Sequence, residues 1–257
     1  MKIVSLQLEV GDRPKAENVA GALELVDKAP EADLLLLPEI WPIGFFSFDR
    51  YHRESEPIDG PTVATFKEKA ESRRCHIHLG SLVERAGDNF YNASVLISPA
   101  GDVVAHYRKI HLFGYQSDET RLLTPGSDVT VVDLPWGRCG LSTCYDLRFP
   151  ELFRRMVDQG ARFFLVTSAW PMARLDAWRL FNQARAHENL AYLVSCNCAG
   201  VNGGTRLAGH SMVVDPWGKI VAEGGAGGEL VPAEIDPELP GRVRAEFPAL
   251  ADRKLGG

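Results

Sequence analysis

The sequence predicts an α/β fold in which mixed sheets and helices pack in layers. Short apolar runs alternate with longer amphipathic runs along the whole chain, a pattern typical of strands and helices that share a core. Tight turns such as 99–102 join consecutive strands, so we expect substantial antiparallel pairing. The 257 residues are 45% apolar, which suffices for one domain over residues 1–257; two smaller domains are the alternative.

The strands are short apolar runs bounded by turn residues. The run at 33–38 is apolar after its first residue, which predicts a strand buried on both faces. The turns at 135–137 and 215–218 each separate two such runs and so predict hairpins. In chain order, we expect strands at 3–10, 33–38, 77–84, 94–98, 103–107, 129–134, 138–144, 162–167, 192–198, 211–214, 219–223 and 230–235.

The helices are longer amphipathic runs, and two of them begin at a proline. Pro61 and Pro150 stand in first turns, where the missing N–H of proline leaves no hydrogen bond unmade. The stretch after Pro240 is less periodic, so we expect a C-terminal tail over about 240–257. The expected helices cover 16–28, 61–73, 150–159 and 175–189.

Composition argues against several classes of function. With 28 Lys and Arg against 34 Asp and Glu, the net charge of −6 gives no general attraction to nucleic acid or to anionic membranes. The longest apolar stretches fall far short of the roughly 20 residues that cross a bilayer. Acidic residues also enter the N-terminal stretch too early for a signal peptide, so we expect a cytoplasmic protein.

The five cysteines give no sign of a disulfide framework or of a metal site. Their number is odd, and no pair has the spacing of a zinc site. Cys196 and Cys198 would point to opposite faces of a strand, so we interpret them as buried small residues rather than as a redox pair. We therefore assign no metal ligand.

Cys144 is the strongest candidate for a nucleophile. It ends an apolar run, and the polar stretch 145–148 separates it from the helix that begins near Pro150. A residue at such a strand-to-helix turn lies at a rim that a substrate can reach. The N–H groups that follow can stabilise an oxyanion. The alternative is an ordinary buried cysteine at a strand end.

Two further residues carry groups that a cysteine nucleophile needs. Glu39 directly follows an apolar strand, so its carboxylate at the strand end suits a general base. Lys109 follows another strand, and its ammonium can stabilise negative charge at a carbonyl or favour a nearby thiolate. Taken alone, each is explained as simply by a solvated surface side chain.

Three local motifs together resemble the carbon–nitrogen hydrolase (nitrilase) family. They occur in the family's order, and similar features continue at 185–189 and 210–218, so the resemblance covers nearly the whole chain. It implies a four-layer α-β-β-α sandwich that pairs into a homodimer or a larger homo-oligomer. The three motifs are LPE at 37–39, RKIHL at 108–112 and CYDLRFPE at 144–151.

The resemblance also implies catalytic roles. Cys144 would be the nucleophile, Glu39 the general base and Lys109 the stabiliser of the tetrahedral intermediate. Glu119 occupies the place of a second active-site glutamate, although the surrounding composition suggests an exposed loop. The implied reaction hydrolyses a small-molecule amide to an acid and ammonia through a cysteine thioester. It requires no metal and no organic cofactor.

The residues after the nucleophile resemble the Nit/ω-amidase branch, which acts on short dicarboxylic monoamides such as 2-oxoglutaramate. A substrate of this kind needs a cation for its free carboxylate, and Arg148 and Arg174 are the candidates. The alternative pairs Arg148 with Asp146 or Glu151, and Arg174 with Asp176. The candidate aromatic walls of the pocket are Phe45, Phe46, Phe113, Tyr145 and Trp170.

Two alternatives to an ω-amidase stay open. Another short-chain amidase, an N-carbamoyl amino acid hydrolase or a nitrilase would use the same three catalytic groups. A non-catalytic scaffold with this fold would be marked by the loss of one of them, and none is lost. Arg185 and Glu188 are expected to support the site as a salt bridge, whereas the mechanism leaves no role for His187.

Overall fold

The chain folds into two six-stranded mixed sheets, as a computed structural model describes for residues 1–254. The strands, in chain order, are β1 (Lys2–Gln7), β2 (Leu34–Leu36), β3 (His76–Ala86), β4 (Asn89–Ile97), β5 (Val103–Arg108), β6 (Val131–Leu134), β7 (Gly137–Thr143), β8 (Phe163–Ser168), β9 (Tyr192–Asn197), β10 (Val201–Asn202), β11 (Thr205–Arg206), β12 (Met212–Val214), β13 (Ile220–Glu223) and β14 (Glu229–Glu234).

Seven helices connect these strands within the described residues. They are α1 (Lys15–Lys28), α2 (Tyr51–Glu54), α3 (Pro61–Arg73), α4 (Glu119–Leu122), α5 (Pro150–Asp158), α6 (Leu175–Asn189) and α7 (Leu239–Glu246). Short 3₁₀ turns cover Phe48–Arg50, Cys144–Arg148 and Met172–Arg174. None of the helices in residues 1–254 has the length and apolarity that a membrane crossing demands.

The two sheets share one plan. The first has the order β14-β1-β2-β3-β4-β5 and the second β13-β12-β9-β8-β7-β6. In each, three central strands run parallel, β1-β2-β3 and β9-β8-β7, and the outer pairs are antiparallel. The antiparallel pairing expected from the hairpins is therefore present, but only at the flanks.

The apolar residues divide into three clusters that define four layers. One cluster joins α1 and α3 to the first sheet, a second joins the sheets to each other, and a third joins α5 and α6 to the second sheet. In β2, Leu35 faces the helices while Leu34 and Leu36 face the other sheet, which explains why the whole run is apolar. The α-β-β-α sandwich implied by the resemblance is confirmed.

The structure departs from the expected elements in several places, among them α2 and the hairpin of β10 and β11, which were not expected. The strand expected at 94–98 begins already at Asn89, because it continues the long β3–β4 hairpin through Gly87. Glu119 lies in the short helix α4 and is buried, not in an exposed loop. The expected tail contains α7, whose Arg244 donates to the carbonyl oxygens of Leu190 and Asn189, at the end of α6. Residues 255–257 of that tail lie outside the described residues.

Candidate active site

The site forms where parallel strands of the two sheets end together. β2 leads to Glu39, and β7 leads to Cys144. The main-chain N–H of Glu39 donates to the carbonyl of Ser168, at the end of β8, at 3.2 Å. Thr167 in β8 donates from its hydroxyl to the carbonyl of Leu37 at 3.1 Å. These bonds join the strand ends directly, so that the base and the nucleophile of the sequence prediction lie at one edge.

Glu39, Lys109 and Glu119 form one fully buried ionic cluster. The Lys109 Nζ atom lies 2.8 Å from Glu39 Oε1 and 3.0 Å from each carboxylate oxygen of Glu119. None of the three side chains is exposed to solvent. The three residues are 70 and 10 positions apart in sequence, yet a single ammonium bridges both carboxylates. Two negative charges therefore share one positive charge in a setting where burial makes each charge costly.

Main-chain and amide donors complete the binding of the two carboxylates. The N–H of Ala169 donates to Glu39 Oε2 at 2.9 Å, and the N–H of Phe113 donates to Glu119 Oε2 at 2.6 Å. Asn92, in the middle of β4, donates to both carboxylates. Sequence reasoning missed Asn92, because it lies before the strand expected at 94–98 and its sequence gives no signal of what it faces. Every carboxylate oxygen of the cluster thus accepts at least one hydrogen bond.

The pKa values in the cluster follow from burial and from the facing charges. Burial alone would lower the pKa of Lys109, but the carboxylates of Glu119 and Glu39 outweigh it and hold the pKa above its ordinary value. Burial raises the pKa of Glu119, and the charge of Glu39 adds to the rise while Lys109 opposes it. Lys109 is therefore a permanent cation at neutral pH.

Cys144 sits in a strained turn immediately after β7. Its φ is 50°, in the left-handed region that costs a residue with a side chain about 1–2 kcal/mol. Ile40, which follows Glu39, has a similar φ of 42° and is held by a hydrogen bond from its N–H to Ser81 Oγ at 3.0 Å. Such strain at Cys144 and directly after Glu39 is typical of functional turns rather than of ordinary strand ends.

The thiol of Cys144 is neutral at rest. Burial first, and then the charge of Glu39, raise the pKa of the Cys144 thiol well above its ordinary value. Lys109 lowers this pKa, as its charge predicts, but the effect of burial is larger. Lys109 therefore favours the thiolate, as expected from its charge, but does not make it the resting form. A neutral thiol must lose a proton before it can attack, which requires a base.

Asp146 holds the turn that begins at Cys144 against the end of β5. Its carboxylate accepts hydrogen bonds from the Tyr107 hydroxyl and the Thr143 N–H, at 2.7 and 2.8 Å. It also lies 2.7 Å from Nδ1 of His111, whose ring stacks on Phe149. The strand that carries Lys109 and the turn that carries Cys144 are thereby tied together. This link runs through motif residues whose role sequence reasoning had not assigned.

Arg185 fixes the same turn from the helix side. Its Nε donates to the carbonyl of Leu147 at 2.9 Å, and its Nη1 pairs with Glu188 at 2.8 Å. The predicted salt bridge between Arg185 and Glu188 is confirmed. His187 is exposed. Cys196 and Cys198 are both fully buried, as expected for small core residues.

A pocket of mostly aromatic lining opens beside Cys144. It encloses about 310 Å³ of empty space, its open mouth included. Both candidate arginines and all five candidate aromatic residues line this pocket together with Cys144. Their roles in substrate binding stay predictions. The lining residues are Phe45, Phe46, Phe113, Cys144, Tyr145, Arg148, Ala169, Trp170, Pro171 and Arg174.

The two arginines in the pocket wall rest on aromatic rings instead of pairing with carboxylates. The Arg148 guanidinium lies 5.2 Å from the Trp170 ring centre and 5.0 Å from that of Phe181. The Arg174 guanidinium lies 5.2 Å from the ring centre of Phe113. Neither forms an ion pair within residues 1–254, so the structural pairings with Asp146, Glu151 and Asp176 are not observed. Two cations thus face the pocket without an anion of the protein.

No cluster of three or more His, Cys, Asp and Glu side chains in residues 1–254 is arranged to hold a metal ion. The groups that meet at this edge are a thiol, two carboxylates, an ammonium and main-chain donors. This set suits proton transfer and nucleophilic attack on a carbonyl.

Comparisons with known proteins agree with this chemistry. A model of the carbon–nitrogen hydrolase family matches residues 2–245. The 2-oxoglutaramate amidase of Paenarthrobacter nicotinovorans is 34% identical over 246 residues, which is 93% of this chain and 84% of that protein. The structure of Saccharomyces cerevisiae Nit3, a member of branch 10 of the nitrilase superfamily, superposes with a TM-score of 0.90 at 31% identity, covering 99% of this chain and 97% of that one.

A third similar protein bears directly on the cysteine. A mutant of the amidase from Nesterenkonia sp. AN1 shows covalent addition of the acetamide moiety of fluoroacetamide at its active site cysteine. It superposes with a TM-score of 0.87 at 25% identity, covering 99% of this chain and 94% of that one. In that protein, an amide reagent reaches a reactive cysteine in the same fold.

Proposed function

This chain belongs to the carbon–nitrogen hydrolase family, and we propose that it is an ω-amidase that cleaves the terminal amide of short 2-oxo dicarboxylic acid monoamides such as 2-oxoglutaramate. As a family member it is a hydrolase of carbon–nitrogen bonds other than peptide bonds. The proposal adds the substrate and the residues: Cys144 as nucleophile, Glu39 as general base, Lys109 as stabiliser and Glu119 as a supporting carboxylate.

One observation carries the choice of substrate. The pocket beside Cys144 holds two guanidinium groups that no carboxylate of residues 1–254 pairs with. An unpaired charge in an aromatic pocket is costly, and a planar guanidinium binds a carboxylate through two hydrogen bonds. A substrate with an amide at one end and a carboxylate at the other satisfies both features. The name of the relative from Paenarthrobacter nicotinovorans, a 2-oxoglutaramate amidase, supports the same class.

The first half of the reaction forms a thioester and releases ammonia. Glu39 accepts the proton of the Cys144 thiol, and the sulfur attacks the amide carbonyl carbon. The charge of Lys109 and the N–H that follows Cys144 stabilise the oxyanion of the tetrahedral intermediate. Glu39 then gives its proton to the leaving nitrogen, and the C–N bond breaks. The acyl group stays on the sulfur as a thioester.

The second half hydrolyses that thioester. Glu39, a carboxylate once more, takes a proton from water, and the hydroxyl attacks the thioester carbonyl. Glu119 shares the ammonium of Lys109 with Glu39 and helps to orient the water. The tetrahedral intermediate collapses, the C–S bond breaks, and the proton returns from Glu39 to the sulfur. One amide and one water thus give one acid and one ammonia.

We further propose one carbon–nitrogen hydrolase domain over residues 1–257 that assembles as a homodimer or larger homo-oligomer in the cytoplasm. One family model spanning residues 2–245 supports the single domain. Light scattering on the purified protein tests the assembly. A mass equal to one chain at micromolar concentration would contradict it.

The substrate proposal is tested by following ammonia from a matched panel. The panel contains 2-oxoglutaramate, succinamate, butyramide, glutamine, N-carbamoyl-β-alanine and an aliphatic nitrile. Succinamate and butyramide have the same chain length and differ only in the terminal carboxylate. We expect fast turnover of 2-oxoglutaramate and succinamate, and a kcat/KM for butyramide that is lower by at least about tenfold.

Other outcomes would redirect the proposal in specific ways. Equal turnover of succinamate and butyramide would contradict recognition of a carboxylate. Preference for the nitrile or for the carbamoyl compound, the latter with release of carbon dioxide, would retain the catalytic groups and overturn the ω-amidase assignment. No turnover of any compound by a folded protein would favour a non-catalytic scaffold.

A further inference from the structure

Asn92 touches every member of the ionic cluster. Its Nδ2 atom donates to Glu39 Oε1 and to Glu119 Oε1, both at 2.8 Å. Its main-chain carbonyl accepts the N–H of Lys109 at 2.8 Å. The residue is fully buried in β4, and the mechanism above gives it no step.

The orientation of the Asn92 amide follows from its neighbours. Ionised carboxylates only accept hydrogen bonds, so the NH₂ group must face Glu39 and Glu119. The Oδ1 atom then points away and finds no donor among residues 1–254. A buried acceptor without a partner lowers stability, but Asn182 shows the same open Oδ1 atom, so that feature alone assigns no role. Asn92 differs because its NH₂ group donates to two carboxylates of one ionic cluster, whereas that of Asn182 donates to a main-chain carbonyl.

The charge balance shows what this donation achieves. Two carboxylates face one ammonium, which leaves one negative charge without a cation. Burial and the charge of Glu39 raise the pKa of Glu119, and a proton held between the two carboxylates would compete with the one that Glu39 must accept from Cys144. We propose that Asn92 is a positioning residue whose two hydrogen bonds keep Glu39 and Glu119 both ionised on the single ammonium of Lys109. The proposal rests on the role of Glu39 as the base.

The other groups around the carboxylates do not titrate in the relevant range. Burial raises the pKa of Cys144, Cys198 and Tyr51, and the pKa of Lys109 is also raised. The first three stay neutral and Lys109 stays charged between about pH 5 and pH 8. The acidic limb of a pH profile therefore reports the Glu39–Glu119 pair. The titratable groups facing the pair, from every element packed against it, are Lys109, Cys144, Cys198 and Tyr51.

The test compares the acidic limb of kcat/KM in two variants. Asn92→Leu keeps the approximate shape and removes both donors, and Asn92→Asp replaces them with a further negative charge. Loss of a donor to an ionised carboxylate raises its pKa, so the limb should move to higher pH. We expect a shift of about one pH unit for Asn92→Leu and a larger one for Asn92→Asp. The activity of Asn92→Leu should recover largely above the shifted limb.

Asn182→Leu is the matched control. Asn182 is also buried and donates through Nδ2, to the carbonyl of Trp178, and its Oδ1 atom is likewise without a partner in residues 1–254. It contacts no member of the cluster through a hydrogen bond. For this variant we expect the acidic limb of kcat/KM to stay at the same pH as in the wild type. A uniform fall in kcat at every pH in Asn92→Leu, with an unmoved limb, would overturn the proposal, as would failure of both Asn92 variants to fold.

A second readout separates this inference from the choice of substrate. We expect iodoacetamide to alkylate Cys144 at a rate that depends on Glu39 as the proton acceptor, and mass spectrometry of the Cys144 peptide measures that rate without turnover. The pH profile of alkylation should shift in the Asn92 variants as kcat/KM does. If the wild-type protein hydrolyses no amide of the panel, the proposed function fails, yet this profile still decides the role of Asn92: a shifted profile supports it and an identical one refutes it.

Discussion

The two sheets contribute unlike halves of one site. The half from the first sheet contains Glu39, Asn92 and Lys109, which are fully buried and hydrogen-bonded to each other at 2.8 Å. The half from the second sheet contains Cys144 and a pocket wall in which Arg148 and Arg174 lie on aromatic rings, unpaired within residues 1–254. The sheets have the same strand plan, so the difference lies in the residues at the strand ends.

The contrast indicates a division of labour. Charges that handle protons are paired inside the protein before any substrate arrives, so the reaction requires little reorganisation around them. The charges proposed to recognise the substrate have no carboxylate partner within residues 1–254, so in this proposal the substrate supplies the missing anion. Paired charges should therefore affect both stability and rate when changed, whereas the unpaired arginines should affect chiefly the binding of acidic substrates.

The largest effect is expected from the nucleophile. Cys144→Ala should lower kcat by about 10⁴-fold or more, because no other group can form the thioester. The fold should persist, since the change removes one atom from a turn that Asp146 and Arg185 hold. Cys139→Ala is the control: Cys139 is a fully buried thiol in β7, the strand that precedes Cys144, and its sulfur hydrogen-bonds to Trp136 and to the carbonyl of Gly137. Substantial amidase activity in Cys144→Ala would refute the assignment.

The second-largest effect is expected from Lys109, which lies in the half of the site whose charges are paired. Lys109→Met leaves the carboxylates of Glu39 and Glu119 facing each other in the interior, and we expect a loss of about 3–5 kcal/mol in the free energy of unfolding at pH 7. In this variant the carboxylate pair should have a folded-state pKa above its unfolded value. Stability should then be greatest below the unfolded pKa and fall as pH rises through the folded one.

Urea unfolding of Lys109→Met at pH 5 and pH 7 measures this slope. Lys69→Met is the control, because the pair of Lys69 with the exposed Asp27 should contribute less than about 1 kcal/mol. A Lys109→Met variant as stable as the wild type at pH 7 would show that the ammonium does not hold the carboxylates together.

The sequence predicted some residues of the site and missed others. Glu39, Lys109 and Cys144 were identified because their three motifs together resemble one family, whereas the position of each at a strand end was a weak signal by itself. Glu119 rested on resemblance alone, since nothing in its local composition predicts that a four-residue helix buries it. Asn92 was missed, because the register that aims it at the cluster is set by the β3–β4 hairpin and by pairing with β5. Periodicity predicts that a strand exists, but not which distant group its polar residue meets.

The two arginines of the pocket also show a limit of prediction from local sequence. The sequence offered carboxylates near both Arg148 and Arg174, and so left structural pairing open. The fold decides against it, because Asp146 turns inward to His111 and Tyr107. Whether a surface charge is paired depends on side-chain direction at a turn, which local sequence does not specify.

A smaller effect, on KM, is expected from the unpaired arginines of the pocket wall. Arg174→Ala should raise KM for succinamate by about 10- to 100-fold, the value of one charge-assisted hydrogen-bonded pair, and leave KM for butyramide nearly unchanged. The change in KM for Arg148→Ala in the same assay shows how much each of the two arginines contributes to binding the carboxylate. Arg138→Ala, which breaks an exposed pair with Asp133, serves as the control and should change neither constant. Equal increases for both substrates would show that Arg174 does not bind the carboxylate.

The smallest effect should come from a paired charge of the first sheet outside the site. The carboxylate of Glu84 is almost fully buried and accepts from Arg108 at 2.6 and 2.8 Å, with His106 at 3.0 Å. Burial would raise the pKa of Glu84, but these partners outweigh it and lower the pKa to about 2. The stabilisation is therefore present above the ordinary glutamate pKa and is lost as pH falls toward 2.

Glu84→Gln should cost about 1–2 kcal/mol at pH 7, because Arg108 is partly exposed and solvent screens the pair. The difference from the wild type should shrink steadily between about pH 4.5 and pH 2, while kcat at pH 7 stays unchanged. Glu24→Gln, at an exposed pair with Lys28, should change stability by less than about 0.5 kcal/mol. If Glu84→Gln instead lowered kcat with no loss of stability, pairing in the first sheet would serve catalysis beyond the Glu39–Lys109–Glu119 cluster, and the division between the two sheets would have to be drawn more widely.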